Sequence, residues 1–181
     1  MRNKVFNYAL VCLLLFVCNG SKFFHTKNKV IIQEDSEIAA QKEKQNKAMQ
    51  DILAISTAIA NFIKDKKYVP NQDGIYDKSS GFYTALCPSY IKDLPIKDPW
   101  RNNYRIYCGK VCAGKYGIPD HSVIENDYVI ASYGRDGKKE VFEFDSSAPE
   151  LGIFTIESTS DFDKDIVIWR GSWIRVPRPE K

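Results

Sequence analysis

The chain has 181 residues, 44% hydrophobic and 27% charged, with a formal net charge of +3 and five cysteines. This length and composition fit one globular domain with a genuine core, and no internal repeat or low-complexity tract is present. The near-neutral balance gives no electrostatic reason to seek nucleic acid, whose binding needs a concentrated basic surface.

Arg2 and Lys4 precede an apolar run from Val5 to Cys18, broken only by Asn7 and followed by the polar NGSK. A membrane-spanning helix needs about 20 residues, so this run is too short to be one. Residues 1–18 therefore predict a cleaved export signal. In LFVC, Leu15 stands three residues before Cys18. That is the spacing of a lipoprotein signal, although Val17 is bulkier than the small residue usual before a lipidated cysteine. Lipidation at Cys18 is expected, giving an exported, lipid-anchored protein of the periplasm, outer membrane or cell surface. The alternative is cleavage after Gly20 and a soluble product.

Loss of Arg2 and Lys4 with the signal, and of no acid, lowers the net charge from +3 to +1. Export also places Cys87, Cys108 and Cys112 where disulfides persist. Three thiols cannot all pair, and the sequence does not choose among them. One disulfide and one buried thiol are expected. A zinc site of these three with His121 lacks a C-x-x-C knuckle and is set aside.

Residues 19–47 form a charged lead-in and the start of a helix. Within them, QEDSEIAAQKEKQNK has few apolar positions but no Gly or Pro. From residue 48 the apolar pattern sharpens. Met49, Ile52, Ile55, Ile59, Phe62 and Ile63 recur at three and four residues and predict one amphipathic helix, with Asp51, Ser56 and Asn61 off its apolar face. Three lysines in KDKKYVP suit the helix C-terminus, and Pro70 prevents continuation.

A long irregular section follows, with a short helical turn expected around Phe82 to Leu86. NYRIYC, DYVIASYG, DIVIWRG and SWIRVP then read as strands, short and rich in β-branched and aromatic residues, the last two joined by a Gly-Ser turn. One long helix on a small antiparallel sheet with hairpins is an α+β architecture. In DPWRNNY, Asp98 and Pro99 predict a turn with Trp100 packed beneath it. Trp169 and Trp173 are expected in the core, with an exposed aromatic pair as the alternative.

The order DILAISTAIANFIKDKKYVP, LPIKDPWRNNYRIYC, YVIASYGRDGK, DFDKDIVIWRG resembles the globular part of the major pseudopilin of bacterial type II secretion, the G family. The similarity covers residues 48–176, and its most specific parts are Asp-Pro-Trp and the Ser-x-Gly-x-Asp-Gly turn. It implies a pseudopilin-like domain over residues 48–181. Two departures stand out. The pilin-type cleavage motif and long apolar helix half are missing, and EDSEIAAQKEKQNK in their place is too polar to line a pilus core, which argues against a filament subunit. An insertion at residues 139–158, KEVFEF and GIFTIE around DSSAPEL, predicts an extra hairpin.

The resemblance also implies a calcium site, with Asp136 and Asp165 as carboxylate ligands and the Tyr133 carbonyl in the matching place. The residues allow it on their own terms. Calcium takes six to eight oxygens, and Asp161, Asp163 and Asp165 would share one face if they entered a strand. Three such carboxylates repel one another, and a cation would relieve this. The plain reading is that Asp136 is a turn residue, Asp165 ends a strand, and the other acids are solvated beside Lys138, Lys139 and Lys164.

No catalytic motif emerges. His25 and His121 lie in unrelated contexts, and Ser132 is not in a nucleophile elbow. Asp136 with the 161–165 acids has the residue types of a hydrolytic pair, but nothing in the sequence suggests a raised pKa. The expectation is a non-catalytic exported protein with a structural calcium site, an accessory of a type II secretion or pilus-type apparatus. Its partners would be secretion-apparatus or other envelope proteins, with membrane contact only through a lipid anchor. The alternative is a free-standing envelope or surface lipoprotein binding a protein or glycan through the inserted segment and aromatic surface.

Overall fold

The computed structural model describes the backbone of residues 13–179 and side chains from residue 35 onward. It forms two compact units, Met1–Ala40 and Gln41–Lys181. The described residues of the first are helical. No helix among the described residues is long and apolar enough to cross a membrane. Most of the export signal expected over residues 1–18, and the side chain of Cys18, lie outside the described residues.

Helix α1 spans Leu13–Lys66, so the charged stretch before residue 48 is already helical, as its lack of Gly and Pro allows. In the second unit its inner face buries Ile52, Ile55, Ile59 and Phe62, with Met49 and Ile63 partly buried. The buried face is wider than the apolar periodicity indicates. Asp51 and Ser56, expected off that face, are 7% and 6% exposed. They stand four residues from Ile55 and Ile52, so the helix carries them inward with those neighbours. Both are satisfied there. Asp51 accepts from Lys47 Nζ at 2.5 Å and from the Tyr104 hydroxyl at 3.2 Å, and the Ser56 and Tyr128 hydroxyls pair at 3.0 Å. The helix stops where Lys67 turns left-handed (φ 69) and its N–H donates to the Ile63 carbonyl, a local cap for a freed carbonyl.

The long section after α1 contains β1 (Asp73–Gly74) and the short helix α2 (Gly81–Leu86), whose Ser80 cap accepts from the Tyr83 N–H. Strands β2 (Arg105–Cys108), β3 (Tyr128–Ser132), β4 (Ile153–Phe154), β5 (Ile166–Trp169) and β6 (Ser172–Pro177) complete a six-stranded sheet. Its order is β1-β2-β3-β5-β6-β4. All pairs are antiparallel except β4 with β6. The fold is α+β, one long helix and a mostly antiparallel sheet.

Alternation along the strands divides the interior into two cores. Ile106, Tyr128, Ile130, Ile166 and Ile168 join the helix residues on one face, whereas Val129, Ala131, Val167 and Ile174 join Cys112, Tyr116, Ile118 and Val123 on the other. With both faces covered, every residue of β3 is buried. This is why YVIAS reads as a continuous apolar run and not as an alternation.

The inserted segment does not form a hairpin. Residues 139–148 carry no strand, a 3₁₀ turn covers Pro149–Gly152, and β4 pairs in parallel with Val176 and Pro177 of β6. Its aromatic side chains are used otherwise. Phe142 and Phe144 pack on the second core, the Phe144 N–H donates to the Tyr116 carbonyl, and Phe144 meets Trp169 edge to face at 5.9 Å. KEVFEF therefore covers the sheet instead of pairing with GIFTIE.

Trp169 and Trp173 do not pair. Trp169 lies against the second core, whereas Trp173, opposite Ile168 across the hairpin, lies against the first. Trp100 packs on the helix-side core and donates its indole N–H to Gln41 Oε1 at 2.7 Å. Cys87, Cys108 and Cys112 are free thiols, in place of the expected bridge. Cys87 and Cys108 belong to the helix side of the sheet and Cys112 to the other, where its thiol donates to the Tyr107 carbonyl at 3.3 Å.

Candidate metal centre

The turn after β3 is built by close approach. Gly134 and Gly137 have φ of +61° and +67°, a region that favours glycine. Space makes the same demand. A Cβ on Gly134 would stand 2.6 Å from the Phe162 carbonyl oxygen and 2.7 Å from that of Lys164. The Arg135 N–H donates to the same Phe162 oxygen at 2.7 Å. The Asp-Gly turn is thus seated on the backbone of the second acidic stretch despite the long segment between them.

Asn102 locks this arrangement. Its Nδ2 donates to the Gly134 carbonyl at 2.8 Å, and its own N–H donates to Asp98 Oδ1 at 2.9 Å. Asp98 is 3% exposed and accepts from the Ser132 hydroxyl at 2.7 Å. Burial raises its carboxyl above the usual range, opposed by the Ser132, Asn102 and Trp100 donors. DPWRN and the turn are therefore parts of one polar lock beneath the acidic residues.

Asp165 precedes β5 and is fully buried. Its Oδ2 accepts from the Tyr116 hydroxyl at 2.9 Å, whereas Oδ1 has no hydrogen-bond partner. Tyr116 comes from a turn between β2 and β3 and holds a left-handed backbone (φ 51, ψ 34). The Asp165 N–H donates to Glu140 Oε2 at 3.3 Å. Glu140 is gripped by Arg175 at 2.9 and 2.5 Å, and that guanidinium lies within 5 Å of the ring centres of both Phe142 and Phe154. Burial pushes the Asp165 carboxyl up to about 7. The Tyr116 hydroxyl and the Glu140 backbone pull it down, and the negative charges of Glu140 and Asp136 add to the rise.

The expected ligands divide into two groups. Asp161 and Asp163 enter no strand but a 3₁₀ helix over Thr159–Asp163, so strand alternation does not align them with Asp165. Asp161 caps that helix, accepting from the Glu157 and Ser158 N–H groups, and meets Lys164 Nζ at 2.7 Å. Burial would raise its carboxyl, but Lys164 and these donors outweigh it and hold it at about 2. Asp163 forms a two-pronged pair with Arg135 at 2.8 and 3.1 Å. Asp136 is exposed in the turn and accepts the Lys138 N–H at 2.9 Å. Tyr133 enters the turn with its ring 5.1 Å from the Arg105 guanidinium.

Asp136, Glu140 and Asp165 thus act on one another, and the donor chemistry fits a hard cation. A buried carboxylate oxygen with no partner carries the desolvation cost that a bound cation would relieve. The nearby side-chain donors are all oxygens, which suits calcium or magnesium and not a thiolate-seeking metal. Among the described residues no three His, Cys, Asp or Glu side chains form a metal-holding group by themselves, so backbone carbonyls would supply the remaining ligands. Glu140, Tyr116 and Arg175 were missed in the sequence. Only Glu140, four residues after Asp136, carried a signal there. The raised carboxyl of Asp165 also departs from expectation.

No family model matches the chain, and no curated protein matches it.

Proposed function

We propose that this is a non-catalytic exported protein whose pseudopilin-like domain binds calcium structurally and serves a secretion or pilus-type apparatus as an accessory subunit. The observation that carries the reading is the partnerless Oδ1 of buried Asp165 beside a Gly-x-Asp-Gly turn seated on the same acidic segment. Asp165, Asp136 and the Tyr133 carbonyl would hold the ion, with Glu140 as an added acid from the inserted segment. The ion would supply charge neutralisation where two carboxylates face a buried third, tying the turn to the start of β5. Calorimetric titration of the full chain with calcium tests this. A single saturable site, lost in Asp136→Ala, is expected; no heat of binding in the wild type contradicts it.

A second reading, a free-standing envelope lipoprotein that docks a protein through the inserted segment, is favoured by exposed apolar side chains there. Val141 is fully exposed and Leu151 is 66% exposed. Val141→Asp with Leu151→Asp is the suitable probe, because deleting residues 139–158 would also remove Phe142, Phe144 and Glu140 from their packing. Retention of the wild type on an immobilised envelope-protein matrix, lost in the double variant, would support this reading.

A further inference from the structure

Lys42, Gln45 and Met49 of α1 line one wall of a groove of about 420 Å³, and Trp173, Val176 and Pro177 of β6 also line it, with Ile156 and Arg178. The helix residues share one face by their spacing of three and four. The volume lies within the range of small-ligand sites, roughly 300–1,000 Å³.

Three observations give the groove its chemistry. Its lining includes two cations, Lys42 and Arg178, and no carboxylate among the described residues. Gln45 is 3% exposed, and its Nε2 has no hydrogen-bond partner. A buried amide donor without an acceptor is costly, and an anionic oxygen in the groove would answer it. The strand end offers no free N–H from Pro177 to Pro179 to a docking peptide strand. Pro177 and Pro179 lack an N–H, and the Arg178 N–H is already given to the Phe154 carbonyl.

We infer that this groove binds a small amphiphilic carboxylate. Its aliphatic chain lies against Met49, Ile156 and Trp173, and its carboxylate is drawn by Arg178, with Gln45 as a further donor. A neutral or cationic amphiphile meets the same apolar walls without the counter-charge. The site shares no residue with the calcium reading and does not rest on it.

The test is a titration of the isotopically labelled full chain with dodecanoate below its micelle concentration. The resonances followed are the Trp173 indole and the Gln45 side-chain amide, with dodecanol and dodecyltrimethylammonium titrated alongside. Saturable shifts at both resonances are expected with dodecanoate, with affinity at least about fivefold above the other two amphiphiles and about fivefold weaker in Arg178→Glu. Arg178 is exposed, so this variant keeps the fold. Unmoved Trp173 and Gln45 resonances, equal binding of the three amphiphiles, or unchanged affinity in Arg178→Glu would each overturn the assignment.

Discussion

The Tyr116 hydroxyl donates to Asp165 Oδ2 at 2.9 Å, joining residues 49 apart at the bottom of the acidic cluster. Burial and the neighbouring carboxylate both raise the phenol's pKa, so the hydroxyl keeps its proton and remains a donor. Tyr116→Phe removes the side-chain hydrogen bond to a buried carboxylate. We expect a loss of about 1–3 kcal/mol in urea unfolding at neutral pH without calcium. An unchanged midpoint would mean that Asp165 does not depend on this bond.

Gly134 is fixed by space as well as by φ, since the carbonyls of Phe162 and Lys164 occupy the region a Cβ would enter. Gly134→Ala should therefore cost about 3 kcal/mol, combining backbone strain with forced separation of the two segments. Gly114, with a similar φ of +72° and nothing within 4 Å of an added Cβ, is the matched comparison. Alanine there should cost less, and equal losses at the two sites would show that contact with the acidic stretch adds nothing.

Without a cation, Asp165 makes stability depend on pH in an unusual direction. Its carboxyl rises from 3.8 to about 7 on folding, so between these values the native state holds a proton that the unfolded state has released. The stability that Asp165 contributes is then greatest below about 4 and is lost as pH rises through about 7. Tyr116, Glu140 and Asp136 face this carboxyl, while Arg175 is engaged with Glu140. Denaturant midpoints in EDTA should decline over that window, and Asp165→Asn should flatten the decline. A slope unchanged by Asp165→Asn would assign it elsewhere.

The cysteines give a prediction independent of the metal. Burial raises the Cys108 thiol, and it pushes Cys112 up to about 12, so neither offers thiolate for attack at neutral pH. Alkylation without reductant, followed by mass analysis, should label Cys87 before Cys108 and Cys112, and all three of these after unfolding. A mass corresponding to a bridge between any two would contradict the free-thiol arrangement.

How far the sequence foretold this depends on the kind of interaction. The inner helix face was legible because Ile52, Ile55, Ile59 and Phe62 repeat at helical spacing, and the four main strands were legible from β-branched and aromatic runs between turns. Asp51 and Ser56 were misplaced because their burial depends on Tyr104 and Tyr128, distant partners that no local pattern announces. The 139–158 segment alternates like a hairpin, but the second sheet face needed covering and Phe142 and Phe144 went there. Asp161 and Asp163 alternate with Asp165 along the sequence, yet Ser158 starts a capped 3₁₀ helix that turns them to other partners. In the site, Asp136 and Asp165 carried the signal, whereas Tyr116, Glu140 and Arg175 reach it only through tertiary packing.

The most direct test of the central claim is thermal unfolding of the full chain in EDTA and in millimolar calcium, beside Asp136→Ala/Asp165→Ala. A site well above half saturation predicts a rise in midpoint of at least about 4 °C for the wild type, and none for the double variant. An identical midpoint for the wild type with and without calcium would contradict the account, leaving Asp136 as a turn residue and Asp165 as a buried acid that keeps its proton.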